Sequence, residues 1–316
     1  MLIIFSSSST ATKLQRLGSK MSSIPIRTPA ALNDSELHAL LLQYRRENWR
    51  GIQTPQWQER IVDDILRDDG EAVLQQLAGF WQMPSRARVL DIGSGVGSFV
   101  VSCRRRGLLA FGVEPDRIGQ GASLTSIQIA KRRLEESVFA VAVGESLPFA
   151  DRSFDLVTMK QVIEHVSDQV AVVREAVRVL KDGGALYVAC PNYLRFYEPH
   201  YKLFWFPLLS KSIGRWYLRL RGRNPVLLDQ LTYTTNGRLR ALLHELETGY
   251  TVVDLHRERF LKKCDDLSFA SRRARFVAQA TRLPGLGDLI TWAALLFLQL
   301  TEGGCEMLIL REPRLT

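Results

Sequence analysis

Cysteine is scarce and scattered in this chain of 316 residues: Cys103, Cys190, Cys264 and Cys305 form no C-x-x-C pair and have no histidine at metal-ligand spacing. That excludes a disulfide framework and a cysteine-built zinc site, so no metal is expected and a reducing cytoplasm is the default compartment. Long apolar runs are missing too. Leu289 to Leu300 contains Gln299 and falls short of the roughly 20 residues that span a bilayer, so it reads as a buried helix. The opening Met-Leu-Ile-Ile-Phe is too short for a secretory signal and runs into serines without a clear cleavage pattern. Residues 1 to about 30 are expected to be disordered, with Met21 a candidate start. What the chain does have is a hydrophobic content of 46%, enough for a substantial core, and a net charge of +9. One sheet with additions fits this length better than two independent domains.

The most informative stretch is Arg88-Val-Leu-Asp91-Ile-Gly93-Ser-Gly95-Val-Gly97-Ser-Phe-Val-Val101, an apolar strand running into Asp-x-Gly-x-Gly-x-Gly and then a helix. The glycines allow a tight turn and a close backbone approach to a ligand, and the helix that follows aims free N–H groups into the same crevice. Asp91 stands two residues before the first glycine, where its carboxylate repels a pyrophosphate but suits the cationic amino group of an amino-acid-bearing cofactor. That favours S-adenosylmethionine over NAD or FAD.

Later strands extend the pattern. Leu108 to Val113 ends at Glu114, 21 positions beyond Gly93, where an acidic residue can accept from both ribose hydroxyls. A third strand, Ser137 to Val143, leads to Glu145, placed to accept from an adenine amino group, with Leu147 flanking the ring. A fourth, Phe154 to Met159, is followed by Lys160-Gln161-Val-Ile-Glu164-His165. Apolar residues at helical spacing predict a helix over Asp168 to Leu180, capped by Lys181-Asp182-Gly183-Gly184, before a fifth strand over Ala185 to Cys190.

The segments VLDIGSGVGSFV, GVEPD, GESLPFADRSFDLVTMKQVIEHV and REAVRVLKDGGALYVACPN, within about residues 86 to 192, resemble the class I S-adenosylmethionine-dependent methyltransferases. The likeness is to the small-molecule branch that includes the ubiquinone-biosynthesis O-methyltransferases. It implies an α/β fold, a Rossmann-like seven-stranded, mostly parallel sheet with helices on both faces and helical lid insertions. It also implies S-adenosyl-L-methionine as cofactor. Asp91, Gly93 and Gly95 would hold its methionine moiety, Glu114 the ribose, Glu145 and Ser146 the adenine, and Gln161 the sulfur side.

Outside that block, helices are expected at about 34 to 50 and 55 to 80 within an N-terminal lid segment, 31 to 85. The methyltransferase domain then covers 86 to 316, with insertions at about 193 to 232 and 261 to 303. Between the insertions, a helix from Asn236 to Glu247 leads to a strand over Thr251 to Leu255, and Glu306 to Leu310 is the final strand, inserted antiparallel. The first insertion interleaves aromatics with basic residues, from Tyr193 through Trp205 and Trp216 to Arg223. Such a surface can stack on sugar or base faces, grip phosphate or lie at a membrane, or it can be an ordinary lid helix whose basic side chains snorkel. The clusters Arg104–Arg106, Lys131–Arg133 and Arg272–Arg275 add to the positive charge, which favours an anionic partner.

A base that deprotonates an acceptor hydroxyl would assist methyl transfer, and His165 and His200 are the candidates. Glu198 stands where it could orient the His200 ring, and a structural role for His165 stays open. The fourth strand ends in Met159-Lys-Gln161, without the Asn/Asp-Pro-Pro-Tyr motif or Pro-Cys nucleophile of a nucleic-acid methyltransferase, and no RNA-binding appendage is evident. The expected acceptor is therefore a small molecule, glycan, lipid-linked or quinone-like; that its methylated atom is oxygen is what the resemblance implies, and peripheral membrane contact is an accompanying expectation. A nucleic-acid methyltransferase and a non-catalytic cofactor-binding protein are the alternatives.

Overall fold

The structure, a computed structural model, describes residues 32–67, 70–116, 123–134, 138–244, 249–255, 257–258, 285, 287–290, 292–293 and 304–312. Expectations for residues 1 to 30, Met21, Cys264, Arg272–Arg275 and nearly all of the second insertion lie outside these residues.

The central strands are β1 (Arg88–Ile92), β2 (Leu109–Glu114), β3 (Phe139–Val141), β4 (Phe154–Lys160) and β5 (Leu180–Pro191). In β4 the adjacent Leu156 and Val157 point to opposite faces, yet both are fully buried, so both faces of the sheet are covered. A short hairpin, β6 (Tyr197–Glu198) and β7 (Leu203–Phe204), stands apart from the sheet, and β8 (Tyr250–Asp254) and β9 (Gly304–Arg311) complete it. The sheet order is β3-β2-β1-β4-β5-β9-β8. Strands β1 to β5 run parallel, whereas β9 lies antiparallel between β5 and β8, as expected of the final strand. The order reverses between β1 and β4, which opens a crevice beyond their carboxyl ends.

Several expected boundaries are corrected. The third strand is only three residues long, because β2 offers it just Gly112 to Glu114, and Val143 instead bridges to Ser146 in a turn. The helix after β4 spans Gln169–Val179, with the Asp168 carboxylate accepting from the Ala171 N–H at 3.0 Å. Its expected glycine cap is not used: Leu180 is already extended and pairs with Phe154, and Gly183, at φ 76°, turns the chain within the β5 segment. The predicted helix over 55 to 80 is two helices, because Gly70 sits at φ 64° between them.

Three helices precede β1: α1 (Asp34–Asn48), α2 (Pro55–Arg67) and α3 (Glu71–Ala78). The glycine turn leads into α4 (Ser98–Arg105), and α5 (Ser126–Arg133) precedes β3; the helix after β4 is α6. Leu37 and Leu41 of α1 and Val62 of α2 bury themselves against Val96 of the turn and Ile129 of α5. This packing seats the N-terminal helices beside the crevice. Burying each such side chain is worth roughly 1.5–3 kcal/mol.

The first insertion folds as the β6–β7 hairpin, α7 (Lys211–Leu220) and α8 (Val226–Gln230), followed by α9 (Asn236–His244). Its own core joins Tyr201, Trp205, Leu218 and Leu228 to Ile52, just past α1. Trp205, read from sequence as part of an aromatic surface, is only 1% exposed. It lies so close under α7 that a Cβ on Gly214 would come within 2.8 Å of its ring, and this is why α7 carries a glycine in mid-helix. Three members of the first two basic clusters have structural roles: Arg106 pairs with Glu71, Arg104 donates to the Ala110 carbonyl and Arg133 to the Val96 carbonyl.

Candidate active site

Two groups of residues meet at the carboxyl ends of β1 and β4. The first is the turn after β1. Gly93, Gly95 and Gly97 all have positive φ, and a Cβ on Gly95 would project into open space, a cradle that a ligand can fill. Asp91 is buried below it and accepts from the Thr158 hydroxyl at 2.6 Å. The Glu114 carboxylate at the end of β2 accepts from the Gly95 N–H at 3.0 Å and from the Ser126 hydroxyl at 2.8 Å. A buried carboxylate under the turn and a second one beside it suit a ligand that carries an ammonium and a diol, so the residues present fit S-adenosylmethionine.

The second group is built on the loop after β4. Gln161 has φ 57°, a left-handed conformation uncommon for a residue with a side chain, held by its N–H donating to the Ala189 carbonyl at 2.7 Å. Val162 packs directly against Gly93, joining this loop to the glycine turn. Glu164 and His165 follow. His165 Nε2 lies 3.2 Å from His200 Nε2, and the two rings meet edge to face. His200 Nδ1 is 2.8 Å from a carboxylate oxygen of Glu198, which also accepts from the Tyr201 N–H at 2.6 Å and the Tyr193 hydroxyl at 3.3 Å. A buried carboxylate facing Nδ1 places the proton there and turns Nε2 into the acceptor. The hairpin thus delivers His200 to His165 across 35 residues of chain.

Sequence reasoning missed three residues here. Gln53, between α1 and α2, donates to the His200 carbonyl and accepts from Arg45 at 2.6 Å, and Arg45 is stacked on Trp49. Burial lowers the Arg45 guanidinium to about 10. Glu164 was read only as the neighbour of a histidine. Its side chain is fully buried, with His165 Nε2 no closer than 3.9 Å, and burial pushes it up to about 7. One donor atom from each of Glu164, His165 and His200 lies within 4.8 Å of the others, close enough to hold a cation. Only the hairpin's path, invisible to local spacing, brings this third donor in.

Glu145 and Ser146 follow β3, where Gly144 packs against Ile92 at the start of the glycine turn. Glu145 accepts from the N–H of Ser167 at 3.2 Å and from its hydroxyl at 2.9 Å. Burial raises its pKa, but its own backbone N–H together with the Ser167 hydroxyl and N–H outweighs that effect and holds the carboxyl below its ordinary range. Ser146 is exposed in the turn after β3, while Leu147 is packed into the main core. Gln161 lines a cavity of about 250 Å³ together with Cys190, Asn192, Arg195, Tyr197 and Glu306.

Comparison with known proteins bears on residues 90–188, which match the family model described as a methyltransferase domain. An uncharacterized methyltransferase of Mycobacterium sp. (strain KMS) is 37% identical over 124 residues, 38% of this chain and 45% of the relative. A demethylmenaquinone methyltransferase of Thermotoga maritima is 29% identical over 160 residues, 49% of this chain and 61% of the relative. A solved S-adenosylmethionine-dependent methyltransferase of Thermotoga maritima, described as a possible histamine N-methyltransferase, is 25% identical at a TM-score of 0.39 and covers 60% of this chain and 76% of its own. The chain spans about half the length of the curated relatives it matches. With the strand order, the glycine turn and its two carboxylates, this match identifies residues 90–188 as a methyltransferase domain that uses S-adenosylmethionine.

Proposed function

We propose that the protein transfers a methyl group from S-adenosylmethionine to a hydroxyl of a lipid-linked or quinone-like small molecule. The observation that carries this reading is the Glu198–His200–His165 arrangement beside the glycine turn. The cofactor, when bound, supplies an electrophilic methyl group. Asp91 would hold its ammonium, Glu114 its ribose diol, Gln161 its sulfur side, and Glu145 and Ser146 its adenine.

His200 acts as the base. Glu198 holds the Nδ1 proton, so Nε2 is free to take one from an acceptor hydroxyl, and the imidazolium that results faces a buried carboxylate. His165 occupies the acceptor's place at Nε2 until the hydroxyl arrives and then flanks it. The N-terminal helices and the first insertion, joined by Gln53 to His200, act as a lid that keeps water from the transfer. The distant likeness to a demethylmenaquinone methyltransferase supports a quinone-like acceptor. Such an acceptor sits at a membrane, which makes peripheral membrane contact part of the reading, and a glycan is the alternative.

The test is transfer of radiolabelled methyl to a panel of prenylated hydroquinone, lipid-linked saccharide, free saccharide and RNA. Labelling of the hydroquinone or the lipid-linked saccharide is expected. Labelling of RNA alone sinks the small-molecule reading, and cofactor binding with no transfer to any of them favours a non-catalytic role.

A further inference from the structure

The first insertion exposes apolar surface where a lid alone would bury it. Among the described residues twelve large apolar side chains are exposed, and eight of them lie between Phe196 and Val226. Concentration in one segment separates this surface from the singly scattered apolar residues of any protein.

Two features compose it. On α7, Ile213, Trp216 and Leu220 recur at i, i+3 and i+7 and so share one face of the helix, but that face is the exposed one, with Trp216 64% and Leu220 68% accessible. The opposite side, Gly214 and Leu218, is the side that packs. On the hairpin, exposed Phe204 lies near exposed Phe196 and Phe206, with ring centroids 6.0 and 5.1 Å apart. Trp205, buried under α7, fastens the two features into one module.

Charge selects the partner. From Arg195 to Arg223 there are seven lysines and arginines and a single acid, Glu198, which is buried against His200. Arg215 is spoken for by Asp229 at 2.8 Å. Arg219 and Arg221 are exposed at the C-terminal end of α7, and Arg219 flanks the apolar stripe. Aromatic side chains beside unopposed cations match an interface whose headgroups are negative and whose interior is apolar.

We infer that the β6–β7 hairpin and α7 dock the protein on an anionic lipid bilayer, with Phe204, Phe206, Ile213, Trp216 and Leu220 entering the interface and Arg219 and Arg221 pairing with lipid headgroups. The inference deepens the lipid-linked reading of the acceptor, because docking would bring His200, two residues from the hairpin's first strand, to the surface where such an acceptor lies. The docking itself requires no methyl transfer.

The test is sedimentation of the full chain with phosphatidylcholine vesicles, with and without phosphatidylglycerol, alongside calorimetry with S-adenosylmethionine. Binding is expected only to vesicles containing phosphatidylglycerol, and it should fade as salt rises from about 0.1 M to about 1 M and the Debye length falls from about 10 to about 3 Å. Arg219→Gln with Arg221→Gln should weaken partition about 30-fold, from two headgroup contacts of about 1 kcal/mol each at about 1.4 kcal/mol per tenfold. Phe204→Ser with Trp216→Ser should weaken it at all salt concentrations, and both double variants should keep parent cofactor affinity. Failure of the parent to sediment at low salt, or variants that sediment like the parent, overturns the inference while leaving the methyltransferase reading untouched. A parent dimer that Phe204→Ser with Trp216→Ser converts to monomer, without vesicle binding, assigns the surface to a second copy and overturns it equally. Loss of cofactor binding with vesicle binding intact would refute the catalytic reading alone.

Discussion

Glu164→Gln is the most informative substitution for the physics of the site. The carboxyl is fully buried, with His165 Nε2 no closer than 3.9 Å, and burial raises it from an ordinary 4.5 to about 7, against partial relief from its own backbone N–H and then from nearby His200. A carboxyl raised on folding binds its proton more tightly in the native state than in the unfolded one. Stability is therefore full below 4.5, falls as pH rises toward 7, and stays reduced above it. At about 1.36 kcal/mol per tenfold, the loss from this group is about 3 kcal/mol at pH 8 and under about 1 kcal/mol at pH 5. Glutamine keeps the shape and removes the charge. Urea unfolding followed by tryptophan fluorescence, in a chelating buffer so that no cation holds the carboxylate, should show the parent losing about 2–3 kcal/mol more than the variant between pH 5 and pH 8. Parallel pH profiles for the two proteins would mean that Glu164 is solvated or paired in solution, and the description of this corner of the site would fail.

Asp91→Ala and Glu114→Ala should each weaken S-adenosylmethionine binding by about 10-fold to 150-fold in calorimetry, the roughly 1.5–3 kcal/mol of a lost charged hydrogen bond, without unfolding the chain; unchanged affinity in both would remove the carboxylates from the cofactor site. Glu198→Gln should lower turnover while leaving cofactor affinity alone, because an amide can hold His200 in the wrong tautomer; turnover equal to the parent's would show that the ring needs no such partner. His165→Ala should cost less turnover than the loss of His200, and a larger loss would exchange their roles. Gly214→Val should destabilise the insertion by about 1–3 kcal/mol in thermal melts, because a Cβ there meets the buried Trp205 ring; an unchanged melt would show that the ring has room to move.

The sheet was legible because its information is local. Val89, Leu90 and Ile92 announce a buried strand, and three glycines in five residues announce the turn that follows. Ends were less legible where pairing overrides local preference: Gly183 looks like a helix cap, but the partnership of Leu180 with Phe154 draws the chain into the sheet three residues earlier. Glu198 and His200 could be read as a pair because they are two residues apart. Their meeting with His165, and the support from Arg45 and Gln53, could not, since it depends on how a hairpin without periodic pattern crosses the crevice. Trp205 and Trp216 illustrate the same limit within one insertion. Both are aromatic with basic residues nearby in sequence, and only the packing at Gly214 decides that the first is buried and the second exposed.

The central claim is that His200, held by Glu198, takes the acceptor proton at a site that binds S-adenosylmethionine independently. Single-turnover transfer of labelled methyl to a prenylated hydroquinone, compared between the parent and His200→Ala with cofactor affinity measured in both, tests it most directly. The account predicts a rate lower by about 100-fold or more with cofactor affinity nearly unchanged. A variant that transfers methyl at the parent's rate, or one that loses the cofactor along with the rate, would contradict it.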